Sequence, residues 1–344
     1  MRRSMTALIA LAVSISMAGC TTPQGPVATK SRDVLGTTVS VTVYRDEAGA
    51  AIRIESAFAA MSFIEKRLSP YDASSAIAAF NRSPFERHAL PPDALLILDR
   101  ARELGVSTQF SPALFGVTSL YDFGGAGTVP SEAALSDAVR LVSTFRVEEG
   151  TAFFAPLELS SYGPGTPLSA PTTPGLDFGG ASKGLALDLA APALRGLPGL
   201  ITAGSSTLAF GHKPDGEPWR VGIEDPREVG RVLAVVSSEG TLSVSTSGDY
   251  QTYFDRDGVR YHHILDPATG LPARGMRSLT VFGQMSALDA DILSTALFVM
   301  GRDRAIDYAL KHGFGLYIVD DMGFPHTCES DERVQLEIQA EPRH

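Results

Sequence analysis

The sequence predicts an α+β fold of mixed or antiparallel sheets with packed helices, and three observations carry that prediction. Alternating strand-like runs recur along the chain, with valines at every second position in residues 37–44. Asp257-Gly258 separates two such runs, residues 250–254 and 259–265, which is a hairpin signal that a purely parallel sheet lacks. Helical segments are interspersed among the strands without the regular strand–helix alternation of a doubly wound sheet.

In chain order, residues 37–44 place Val39, Val41 and Val43 on one face of a strand. Ala50–Leu68 carries Ile54, Phe58, Met61 and Ile64 at helical spacing. Residues 91–104 open on prolines and stop at Gly105, as helices do. Pro130-Ser131 starts another helix through Val142. Residues 150–176, rich in Pro, Ser, Thr and Gly, read as loops around weak strands. A glycine-rich turn then leads into a helix over residues 185–191, and residues 232–237 and 242–246 are strand-like. Ala287–Met300 and residues 302–311 are helices parted by Gly301, and residues 315–319 form a late strand.

The chain has 344 residues, 44% of them hydrophobic, enough for a substantial core. Its 29 Lys and Arg stand against 39 Asp and Glu, a net charge of −10. Such a chain lacks the basic footprint of a nucleic-acid binder, and it does not look like a protein held on anionic lipid by its own surface. Two cysteines, Cys20 and Cys328, exclude a disulfide framework and a cysteine-rich zinc site. Arg2 and Arg3, a short apolar run and small residues before Cys20 are the parts of a secretory leader. The run falls short of the roughly 20 residues that a membrane span needs. The Ala18-Gly19-Cys20 junction resembles the bacterial lipoprotein box, which makes Cys20 the acylated first residue of the mature chain. The expected organisation is a leader over 1–19, a lipidated polar tether over 20–32 and one catalytic domain over 33–344. That organisation places the protein on the periplasmic face of the inner or outer membrane.

Three segments look like chemistry. Asp177 to Gly184 (D-F-G-G-A-S-K-G) puts three glycines and Lys183 ahead of a helix, where backbone N–H groups can receive an anion. The glycine spacing fits neither the dinucleotide fingerprint nor the P-loop, and ordinary turns share its composition. Ser245 to Tyr250, a hydroxyl-rich turn, precedes His262-His263 and an Asp266-Pro267-Ala268-Thr269-Gly270 turn. Adjacent histidines in a strand face opposite ways, so they cannot share one metal. Asp291 and Thr295 lie four apart on an apolar helix, presenting a carboxylate and a hydroxyl on one face. Hard oxygens of that kind suit Mg²⁺, although a capping pair has the same spacing.

Taken in order, these segments resemble the FAD:protein FMN transferase family, the ApbE-like proteins, over roughly residues 34–320. Leu35-Gly36-Thr37 resembles the family's opening M-G-T, and Ser69-Pro70-Tyr71 with Ser75, Ile77 and Asn81 resembles S-x-Y…S-x-I…L-N. Phe110-Ser111-Pro112, with Gln109 beside it, resembles F-D-P-T, and Asp177 to Gly184 resembles D-L-G-G-I-A-K-G. Trp219 to Pro226 is similar to W-x-V-G-I-x-x-P. The T-S-G-D-Y, H-I-x-D-P-x-T-G and A-D-x-L-S-T-A segments match closely.

The resemblance implies an enzyme that cleaves FAD, releases AMP and attaches FMN by a phosphoester to a threonine of an acceptor, a membrane or periplasmic redox protein. It implies Mg²⁺ held by Asp291, Thr295 and a backbone oxygen at Gly180. Gly179 and Lys183 would receive the pyrophosphate, and His263 would act near the phosphates as base or charge stabiliser. Asp177 would hold the adenine or ribose side, Leu35 and Tyr71 would lie against rings, and Gln109, Phe110 and Ser111 would close the pocket. The chain departs from the family at Leu35 for methionine, Ser111 for aspartate and Ala113 for threonine. It also departs at Gly204-Ser205-Ser206-Thr207, which stands in for a G-G-D-I-like turn. The metal pair, the lysine and the histidine all remain. A Mg²⁺-dependent FAD pyrophosphatase and a catalytically silent flavin-binding lipoprotein are the alternatives.

Overall fold

The structure, a computed structural model, describes residues 26–45, 48–156, 173–329 and 331–342. The expected leader, Cys20 and residues 21–25 of the expected tether lie outside them, as does most of the Pro- and Gly-rich stretch after residue 156.

The chain opens with β1 (Ala28–Val34) and β2 (Thr37–Val43), joined by a tight turn at Leu35-Gly36 with φ of 59° and 68°. The tether expected to reach Arg32 is therefore shorter, and the folded domain begins ahead of residue 33. Only Val34 of β1 is buried, so this edge strand carries no hydrophobic alternation that a sequence could reveal. Next come α1 (Ala50–Leu68), α2 (Ala76–Arg82), β3 (His88–Ala89), α3 (Pro92–Glu103), α4 (Phe115–Ser119) and α5 (Glu132–Val142). Helices α2 and α5 start where Ser75 and Ser131 accept hydrogen bonds from the N–H groups of Ala78 and Ala134. After β4 (Phe145–Glu148) and β5 (Thr151–Phe154) come α6 (Gly179–Ala190), β6 (Gly199–Ala203), β7 (Ser206–Phe210), β8 (Trp219–Asp225) and β9 (Glu228–Ser238). Then follow β10 (Leu242–Gly248), β11 (Tyr253–Arg256), β12 (Val259–His262), β13 (Met276–Gly283), α7 (Ala287–Met300) and α8 (Arg302–His312). The last strands are β14 (Gly315–Asp320), β15 (Pro325–Cys328) and β16 (Val334–Ile338).

The principal sheet has eight strands in the order β1-β2-β6-β7-β10-β13-β14-β15, every neighbouring pair antiparallel. Its inner face carries Val39, Val41, Ile201, Val281 and Ile318 into the main core, against α1, α6 and α7. Its outer face packs on the three-stranded sheet β16-β9-β8, around Trp219, Phe282 and Tyr317. The result is three layers of helices, sheet and sheet, the α+β class that the sequence predicts.

Register divides the sheet into two ends. Val39 pairs with Ala203 and Val43 with Gly199, so the Leu35-Gly36 and Gly204-Ser205 turns share one end. Val27, Tyr44, Pro198 and Phe210 gather at the other, through the bonds Val27 N to Val43 O and Tyr44 N to Pro198 O. Among the described residues no helix is long and apolar enough to cross a membrane.

Candidate active site

The site is built where α6 meets α7. Asp177 Oδ1 accepts the N–H of Gly179 at 2.8 Å, and α6 starts there. The glycine-rich segment is thus the first turns of a helix rather than a turn ahead of one. A methyl at Gly184 would sit 2.2 Å from Ala287 O and 2.7 Å from Asp291 Cβ, so only glycine lets the two helices touch. Asp188 Oδ1 and Oδ2 accept the N–H groups of Ala287 and Leu288 at 2.9 Å each, tying the start of α7 to α6. Burial holds the Asp188 carboxyl above its ordinary range, against the lowering effect of those two bonds. Asp289 points away from α6 into a bidentate pair with Arg100, at 2.6 and 2.8 Å.

Asp291 is 3% exposed and accepts three hydrogen bonds from the protein. Its Oδ2 accepts Gly184 N–H at 2.9 Å, and its Oδ1 accepts the hydroxyls of Ser206 at 3.0 Å and Ser245 at 3.1 Å. The network continues from Ser247 Oγ to Ser294 Oγ at 3.0 Å and to Thr295 Oγ1 at 3.3 Å. The segment expected to be a hydroxyl-rich turn is strand β10, which runs on to Gly248. Leu242 and Val244 face the outer core, so Ser243, Ser245 and Ser247 form a polar row on the buried face beneath α7.

Of the other predicted residues, Lys183, Asp177, Gly180, Phe110 and Ser111 gather at the start of α6. Lys183 Nζ donates to Gly179 O at 3.3 Å, one turn back. A methyl at Gly180 would sit 3.2 Å from Phe110 Cε2 and 3.3 Å from Thr295 Oγ1, so the absent side chain leaves a small cradle between them. Asp177 N donates to Pro112 O at 2.8 Å, and Ser111 Oγ accepts Ala113 N–H at 3.3 Å, closing the turn that holds Phe110. A serine can close that turn as an aspartate would, so this departure preserves the local geometry. Gln109 instead accepts from Thr108 Oγ1 at 2.7 Å and lines a surface cavity of about 590 Å³ against α8, which no residue of α6 lines. Tyr71 is 78% exposed, its ring 6.1 Å from Phe115. Burial raises the Asp177 carboxyl. Leu35 lies half-buried against the main core at the hairpin tip, and Thr37 beside it packs on Gly204.

His262 and His263 face opposite ways, as strand geometry requires. His262 is buried edge-on to Phe298 at 5.7 Å, with Nε2 2.8 Å from Ala273 O. His263 turns toward the site, its Nδ1 3.2 Å from Thr252 O. Burial pushes both imidazoles down to about 4, and for His263 the neighbouring His262 and Lys183 add to the effect. His263 is therefore neutral at physiological pH, able to take a proton. In the unfolded chain these groups protonate below about pH 6.5, so between pH 6.5 and 4 the unfolded state binds more protons than the native state. Stability contributed by the pair is complete above pH 6.5 and is lost as pH falls through that window. We expect a His262→Gln variant to show a flatter fall of Tm from pH 6.5 to 4 than the wild type; parallel curves would contradict the shift.

Sequence reasoning missed Asp188, and it noted Ser206 only as a departure. A period-two row of serines opposite apolar residues was the available signal for the β10 hydroxyls. Nothing local marks Asp188, whose role arises only when α6 meets α7.

The donor set fits Mg²⁺. Among the described residues no group of three or more His, Cys, Asp or Glu could hold a metal by itself, so any ion would draw on hydroxyl and backbone oxygen. Counting two lone pairs per carboxylate oxygen, Asp291 Oδ1 is saturated while Oδ2 keeps one acceptor site. The Gly180 cradle with Thr295 Oγ1 at its edge supplies the other hard oxygens.

The ApbE family profile matches residues 35–318. The chain is 33% identical over 79% of its length, and 78% of the relative's, to a Treponema pallidum protein named FAD:protein FMN transferase. A Haemophilus influenzae protein of the same name is 27% identical over 94% of this chain and 95% of its own. Among solved structures, the ApbE protein of Thermotoga maritima aligns with a TM-score of 0.76 at 28% identity, over 88% of this chain and 97% of its own. The apo flavinyl transferase ApbE of Pseudomonas stutzeri gives 0.72 at 28% identity, over 88% and 95%.

Proposed function

This chain belongs to the ApbE family of flavin transferase enzymes, and on that footing we propose that it moves the FMN half of FAD onto a threonine of an acceptor protein. The acceptor Oγ forms a bond to the FMN phosphorus, the bond from that phosphorus to the bridging oxygen breaks, and AMP leaves with that oxygen. The threonine proton goes to a base. The observation that carries the reading is the buried Asp291 carboxylate, with one acceptor site left and Thr295 and the Gly180 cradle beside it.

Mg²⁺ would be held by Asp291, Thr295 and the Gly180 backbone oxygen, and when bound it neutralises charge on phosphoryl oxygens. Lys183 places a cation in the first turns of α6, the end of the helix that favours an anion. Neutral His263 can hold the threonine proton. Asp177 serves the adenosine side, while Tyr71, Leu35 and Phe110 offer ring and apolar surface, with Ser111 at the rim. The acceptor belongs to the membrane or periplasmic redox proteins, and lipid on Cys20 holds the enzyme at that membrane.

Nucleotide chromatography tests this reading. With FAD, Mg²⁺ and a candidate acceptor domain, AMP should accumulate without matching free FMN, and chelation should stop it. Free FMN in equal amount with every acceptor would move the assignment to a pyrophosphatase. FAD that stays bound and intact would make the protein a flavin carrier.

A further inference from the structure

At the end of the sheet opposite the site lies a cavity of about 460 Å³, and its make-up differs from everything the reaction uses. Its apolar wall is Pro192, Leu197, Pro198 and Phe210, and its rim carries Arg45, Arg195 and His212. All three rim residues are exposed. Arg45 Nη1 reaches Gly196 O at 3.4 Å, and the Arg195 carbonyl is held by the Arg53 guanidinium, so the loop that carries Arg195 is fixed in place. Left-handed glycines at 196 and 211, with φ of 85° and 72°, turn the two loops that frame the cavity. Among the described residues no carboxylate pairs with Arg45, Arg195 or His212; Asp46 and Glu47, next in sequence, lie outside them. A net charge of −10 argues against lipid binding by the surface as a whole, yet that sum hides this local cluster.

The position of the cavity says what covers it. Val27 N bonds Val43 O, so the chain enters the domain beside Arg45. From Cys20 to Ala28 the chain can reach at most about 28 Å. A lipid on Cys20 would bring this end within about 28 Å of the bilayer, while β2 carries the Leu35-Gly36 turn about 23 Å from it, so a second contact at this end would set the orientation. We propose that the Arg45–Arg195–His212 cavity binds the phosphodiester headgroup of an anionic phospholipid and so turns the active-site end of the domain outward from the membrane. Guanidinium pairs match phosphodiester oxygens, and the proline- and phenylalanine-lined wall suits the glycerol above them. The proposal rests on the reading of Cys20 as lipidated.

The test uses the full chain as it is isolated from membranes, reconstituted in vesicles of phosphatidylcholine with or without phosphatidylglycerol. Hydrogen exchange should slow over residues 193–197 and 210–213 on the phosphatidylglycerol vesicles alone. That protection should be lost in R45A/R195A, retained in part in R45K/R195K, and transfer to a soluble acceptor should be unchanged in both. Equal protection on both vesicle types would overturn the proposal, as would the same protection produced by inorganic phosphate without vesicles. Intact mass of the same sample reports the lipid on Cys20 independently, so a failed anchor and a failed headgroup site are separate results.

Discussion

Asp291→Asn should reduce flavin transfer at least about a thousandfold, the equivalent of ~4 kcal/mol of lost transition-state stabilisation. The side chain keeps its size, so packing between α6 and α7 survives. Its amide has one acceptor oxygen, whereas the carboxylate serves Gly184 N–H through Oδ2 and two serine hydroxyls through Oδ1. With that oxygen turned to Gly184, Ser206 and Ser245 must rotate to accept from the amide nitrogen, as hydroxyls can. The expected stability loss is about 1–3 kcal/mol, a folded but inactive protein. The negative charge disappears, which removes what draws a divalent cation to this oxygen. Initial rates of AMP release beside a thermal melt decide the matter, and a variant within tenfold of wild type would remove Asp291 from the site.

Gly184→Ala tests the same junction through sterics. The added methyl would lie 2.2 Å from a backbone oxygen and 2.7 Å from Asp291 Cβ, so neither helix can yield by rotating a flexible side chain. Overpacking of that kind costs about 3 kcal/mol, or a Tm fall of order 6–12 °C. It should also pull Gly184 N–H from Asp291 and spread the site, so activity falls with stability. Gly258→Ala is the control: nothing lies within 4 Å of the added carbon, and only its positive φ of 75° resists the change. That variant should lose about 1 kcal/mol and keep its activity. Equal melts for the two variants would mean that the helices are not in contact at Gly184.

What the sequence revealed follows from burial. Helices α1 and α7 were legible to the residue, because Ile54, Phe58, Met61 and Ile64 repeat at helical spacing and α7 is apolar nearly all round. The Asp257-Gly258 hairpin was legible because its turn needs two left-handed residues, which have φ of 52° and 75°. Strand β1 was not, since six of its seven residues are partly or fully exposed. The serines of β10 read as a turn because serine and glycine favour turns locally, and only the contact with α7 makes them buried strand. The glycines of α6 misled in the same way, because close helix packing rather than a loop is what requires Gly184. For the site, the Asp291–Thr295 spacing and the opposed histidines were readable from geometry. The roles proposed for Asp177 and Tyr71 rest on family resemblance, and Asp188 and Ser206 needed the tertiary fold.

The proposed reaction has a single covalent outcome, an FMN phosphoester on an acceptor threonine. Peptide mass mapping of an acceptor domain, after incubation with this protein, FAD and Mg²⁺, reads it directly. One peptide should be heavier by an FMN moiety, with fragment ions placing the mass on threonine, and Asp291→Asn should give no such peptide. An unmodified threonine in every acceptor tried, while FAD is consumed to free FMN and AMP, would contradict it.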